Sequence, residues 1–173
     1  SSTHSFAIIQ SITAFYLQDT FSFSILMTQQ KLGVALGCMA LTSIVAQLTI
    51  VQKVKVPPIR LVQWSIPFFV LGTLVAVKAV DFNFYILGMA VIGLGMGLGT
   101  PGYTAAASLN ANSKNQGAAV GLAMVAPGLG FSIGPFMGGF LYELSPTLPF
   151  WTIIPIFFLV FFIAFNINKK DLV

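Results

Sequence analysis

Long apolar stretches alternate with short polar ones along the whole chain, and their lengths predict its elements. A helix that crosses a bilayer needs about 20 consecutive apolar residues. Stretches of that kind fall at residues 5–23, 32–52, 61–80, 82–107, 117–142 and 149–167. The first is the most polar, with Gln10, Ser11, Thr13 and Gln18 inside it. The last, FWTIIPIFFLVFFIAF, is the most apolar. The connections QKVKVPPIR, NANSKNQG and ELSPTLP are short, and the double proline in the first of them stops a helix. No charged residue lies in the middle of a stretch. Asp19, Lys78 and Glu143 lie near ends, where water or headgroups reach them.

Composition turns this pattern into a class. Of 173 residues, 57% are hydrophobic and 7% charged, with mean hydropathy +0.92, whereas a soluble domain carries about 25% charged residues. The chain reads as an all-α membrane protein, one unit over residues 1–173 with six transmembrane helices. Its formal charge of +4 is no nucleic-acid signal, because the basic residues sit between apolar runs. Six spans put both ends on one side. That side holds Lys53, Lys55, Arg60, Lys114, Lys169 and Lys170, against Lys31 and Lys78 on the other. The bias places both termini in the cytoplasm, in an inner or plasma membrane. Trp64 and Trp151 fall near span ends, as interfacial anchors do. The lone Cys38 offers neither disulfide nor metal cluster and reads as a small buried side chain. The chain opens on Ser1 with no signal-peptide pattern, and it is expected to be a cut from a longer protein.

Small residues concentrate in the fourth and fifth spans. GLGMGLG pairs Gly93 with Gly97 and Gly95 with Gly99. The fifth span pairs Gly117 with Gly121 and then sets Gly130, Gly134 and Gly138 in series. Small residues four apart make a groove into which another backbone can settle. Lipid offers backbone groups no competing water, so glycine and proline are tolerated there. Pro135 predicts a bend one turn earlier, around Phe131. A kinked moving part and static packing both fit this segment. The third and sixth spans hold few small residues and suit a lipid-facing position.

The run Gly130-Phe-Ser-Ile-Gly134-Pro135-Phe-Met-Gly138-Gly139 resembles the GxxxGPxxGG pattern of the major facilitator superfamily. In that family's drug:proton antiporters the pattern marks the fifth helix, with related versions in the eleventh. GLGMGLGTPGYTAAASLNANSKNQGAAVGL is similar to the family's tenth helix, loop and eleventh helix. The resemblance implies two six-helix halves, each of two inverted three-helix repeats, of which this chain is one. The fourth span has no arginine, and the loop after the second lacks the Gly and Asp of GxxxDRxGRR. Both departures fit the C-terminal half, helices seven to twelve. Lys53, Lys55 and Arg60 are what remains of a cytoplasmic basic loop.

The resemblance further implies alternating access and proton-coupled export of an apolar or drug-like solute, with no cofactor. The partners implied are the N-terminal six-helix half, the bilayer and a small-molecule substrate; no nucleic acid is expected. Helices seven, eight, ten and eleven line the cavity in the family, and nine and twelve lie outside. By depth and face, the cavity candidates are Gln10, Thr13, Ser43, Gln47, Met89, Met96, Tyr103 and Met124. Gln and Tyr can hydrogen-bond a substrate, and Met adapts to varied apolar shapes. The glutamines equally suit interhelical hydrogen bonds and the methionines plain packing. Phe15 and Tyr16 fit either cavity wall or interfacial belt. Enzyme chemistry is not expected: the one histidine, His4, stands at the terminus, so no intramembrane Ser–His pair forms, and metal-ligand clusters are missing. The rival readings are a six-helix channel, for which neither paired Asn-Pro-Ala segments nor a charged ring is present, and a half-size homodimeric carrier. The only acids are Asp19, Asp81, Glu143 and Asp171, none at mid-span, so a proton-coupling carboxylate is expected in the other half.

Overall fold

The computed structural model describes residues 2–109 and 116–170, with side chains described for part of these. Six α-helices follow one another: α1 (Ser2–Phe21), α2 (Ile25–Ala46), α3 (Pro58–Val77), α4 (Phe82–Leu109), α5 (Gln116–Leu144) and α6 (Leu148–Lys170). A π-helical turn, Gln47–Val51, prolongs α2. Among the described residues, three helices are long and apolar enough to cross a bilayer: Ile25–Val51, Pro58–Val77 and Phe82–Leu109.

Local chemistry sets the boundaries. Pro58 occupies the first turn of α3, where a missing N–H costs nothing, so this helix starts three residues before the predicted span. Asp81 caps α4 by accepting a hydrogen bond from the Phe84 N–H at 2.9 Å. The second span departs most from expectation, beginning at Ile25 instead of 32. Ser24 caps it, with its hydroxyl oxygen accepting from the Met27 N–H at 3.3 Å. Ser22, at φ 53°, turns the chain sharply just before. Lys31 therefore lies inside a helix and not in a loop. Its ammonium sits 4.4 Å from the centre of the Phe82 ring, which accommodates the charge beside apolar surface. Helix α5 stays unbroken through Pro127 and Pro135. Near the bend expected at Phe131, the Ser132 hydroxyl donates to the Gly128 carbonyl at 2.9 Å, a back-bond that favours bending over breaking.

Helix α4 is the centre of the packing. It lies against α2 on one side and α3 on the other, with α1 against α5 and α3 beside α6. Its glycines permit this. A methyl added at Gly88 would stand 2.7 Å from the Ala76 nitrogen and 2.8 Å from the Gly72 oxygen of α3. One at Gly93 or Gly97 would strike the Met39 or Ser43 carbonyl of α2. The core between these helices is formed by Tyr85, Phe69, Phe150, Phe157, Ile12, Met89 and Ile92, all buried. The outer surface is apolar: Phe136 is 81% exposed and Phe162 68%, a surface suited to hydrocarbon and not to water.

Candidate transport site

The cavity candidates scatter over different environments. Thr13 is buried, and its Oγ1 accepts a hydrogen bond from the Tyr85 hydroxyl at 3.1 Å, joining α1 to α4. Ser43 is buried, and its backbone carbonyl is what crowds Gly97. Gln47 is exposed in the π-helical turn and donates from Nε2 to the Ser43 Oγ at 3.4 Å. Met89, Met96 and Tyr103 share one face of α4 at intervals of seven residues. Met89 is sealed in the core, Met96 is half-buried against it, and Tyr103 is half-buried with no hydrogen bond among the described residues. This face thus opens as α4 runs away from its capped start. The side chains of Gln10 and Met124 lie outside the described residues.

In the glycine-proline motif, Gly134 and Gly138 are buried and Pro135 is exposed. They share a face with Tyr142, whose hydroxyl donates to the Asp19 carboxylate of α1 at 2.8 Å. That face is the one α5 lays on α1. A Cβ at Gly139 would meet nothing within 4 Å among the described residues, and the burial of Gly130 lies outside them. At Gly117 and Gly121, where a groove is expected, a Cβ would meet nothing within 4 Å among the described residues. The same holds for Gly128 on α5 and for Gly33 and Gly37 on α2. Lys53, Lys55 and Arg60 are exposed around the double proline. Asp19, Asp81 and Glu143 are exposed as well, and Asp171 lies outside the described residues.

One cluster was not singled out in the sequence. At the end of the bundle where α1 finishes and α4 begins, Tyr16 stacks on Tyr85 at 5.5 Å and meets Phe150 edge-on at 5.0 Å. The Tyr16 hydroxyl donates to the Val77 carbonyl at 3.3 Å. Four helices are tied together there, so Tyr16 belongs to the core and not to a cavity wall or belt. Phe15, 57% exposed, instead tilts against Tyr142 at 6.1 Å. The recurring aromatics at span ends (Phe21, Phe23, Phe82, Phe150) were the available signal.

Among the described residues no three His, Cys, Asp or Glu come together as a metal site would require. Long helices and an apolar exterior define a polytopic integral membrane protein. The sequence matches the profile of the Major Facilitator Superfamily over residues 2–171, and the chain belongs to that superfamily. Its members are secondary transporters rather than enzymes. No curated protein matches the chain.

Proposed function

We propose that the chain is the C-terminal six-helix half of a proton-coupled exporter of apolar or drug-like solutes, similar to the drug:proton antiporters. All six helices span the membrane, with both ends cytoplasmic, and α1–α3 and α4–α6 are inverted repeats. Two of the neighbour pairs support the repeat: exchanging the two triplets turns the α1–α5 contact into α4–α2 and leaves α3–α6 in place. Alternating access then rocks this half against its partner about a midplane site.

The observation that carries the reading is the sorting of the glycines. Those of α3 and α4 are filled by neighbouring backbone and side chains, whereas Gly33 and Gly37 on α2 and Gly117, Gly121 and Gly128 on α5 face open space among the described residues. Helices that keep such surfaces bare have room for a second half, and α2 and α5 are the eighth and eleventh helices in this assignment. The polar half-open face of α4 at Met96 and Tyr103 lies toward the same cytoplasmic end as Gln47.

Flux measurement tests this. Reconstituted 1–173 should carry no saturable flux alone and should gain it with the N-terminal half. Saturable flux from the pure chain would replace the reading with a homodimeric carrier. Flux that never saturates would replace it with a channel.

A further inference from the structure

Away from the proposed transport path, α3 and α6 enclose a groove of about 650 Å³. Its walls are two matched stripes. Trp64, Pro67 and Leu71 line it from α3, and Phe158, Phe161 and Phe165 from α6. Both sets follow the spacing i, i+3, i+7, which keeps each on one helix face. The helices enter this region from opposite ends of the chain's topology, so Trp64 lies level with Phe165 and Leu71 with Phe158. At about 1.5 Å per residue the stripes run for roughly 10 Å, much of one leaflet of a hydrocarbon core about 30 Å thick. Gln63, Ile66 and Val70 of α3 complete the lining.

The lining is almost wholly carbon, so it offers a polar solute little. Its mouth is different. Arg60 is exposed and stands one turn before Trp64 on the same face of α3. Lys53 and Lys55 are exposed in the loop that leads into α3. No acidic residue occurs in the chain between Asp19 and Asp81. Trp64, 40% exposed, sits where the apolar stripe meets this basic end, the position an interfacial tryptophan takes.

The geometry points to a bound anionic phospholipid of the cytoplasmic leaflet. One acyl chain lies between the stripes and the headgroup phosphate meets Arg60, with Lys53 and Lys55 adding to the attraction. Basic groups beside apolar clefts at the cytoplasmic membrane face recognise such lipids. The leaflet assignment rests on the orientation given under Proposed function; the site itself does not.

Brominated lipids quench tryptophan on contact, and Trp64 is a built-in reporter. The complete transporter, and the same protein with Trp64→Phe, are reconstituted in phosphatidylcholine vesicles containing increasing brominated phosphatidylglycerol or brominated phosphatidylcholine. The difference between the two proteins isolates Trp64. Half-maximal quenching is expected at an about fivefold lower fraction of phosphatidylglycerol, the equivalent of about 1 kcal/mol for one basic group beside an anionic headgroup. Arg60→Gln should erase that preference, and Arg60→Lys should retain it. Equal quenching by the two lipids would reduce the groove to ordinary annular contact and overturn the proposal. So would a preference that survives Arg60→Gln. Loss of quenching as the protein-to-lipid ratio rises would show a second copy in the groove and overturn it too. Both vesicle leaflets carry the probe lipid, so these outcomes do not depend on orientation. Labelling of Lys55→Cys in intact cells by a membrane-impermeant maleimide separately tests the cytoplasmic assignment: protection supports it, and reaction from outside overturns the leaflet named here.

Discussion

Replacing Gly88 by alanine is the sharpest test of how α3 and α4 are packed. The added methyl would lie 2.7 Å from the Ala76 nitrogen, 2.8 Å from the Gly72 oxygen and 2.9 Å from the Ala76 Cα. All three are backbone atoms of α3, so no side chain can swing away, and the helices must separate. The fit is reciprocal, since a methyl on Gly72 would stand 2.8 Å from the Gly88 oxygen. Overpacking of this kind costs about 1–3 kcal/mol, and a rigid neighbour puts it at the upper end. Alanine returns about 1 kcal/mol through better helix propensity. The net loss is then about 2 kcal/mol. At about 2–4 °C per kcal/mol for a chain of this size, the melting point should fall by roughly 4–8 °C. Thermal unfolding of purified 1–173 in detergent, followed by circular dichroism, measures it. Gly37→Ala is the matched control: nothing lies within 4 Å of Gly37, so the same chemical change should leave melting unchanged or raise it slightly. A Gly88→Ala protein that melts at or above the parent would mean that α3 and α4 are farther apart than described, and the close-approach argument would fail.

Gly134→Leu in the complete transporter should lower transport more than expression, because Gly134 is buried on the face that α5 lays on α1; normal transport would show that face to be open. Thr73→Val should stabilise by about 1 kcal/mol, read as a higher melting point, because the buried Thr73 hydroxyl has no hydrogen-bond partner among the described residues; a lower melting point would reveal a partner. Asp19→Asn, Asp81→Asn, Glu143→Gln and Asp171→Asn should each keep transport driven by a pH gradient. Asp81→Asn should keep the α4 cap as well, and loss of coupling in any one of the four would place the proton site in this half.

The positions of the elements were largely legible in the chain itself. Apolar runs of membrane length predicted six helices, and six form at nearly those places, because run length and proline chemistry act locally. Pro58 starts a helix whatever surrounds it. The charge on Lys31 misled, since it suggested a loop; only the fold could show that the Phe82 ring stands ready beneath that ammonium. The glycine pattern was legible as permission for close packing, but not as its direction. Gly93 and Gly97 turn to α2, while Gly95 and Gly99 turn to Ser65 and Phe69 of α3, because two residues along a helix is a rotation of about 200°. Gly117 and Gly121 repeat the same spacing with nothing opposite them among the described residues. A sequence records where a Cβ is missing. Which helix, if any, fills that space depends on contacts between residues far apart in the chain, and those only the tertiary structure decides.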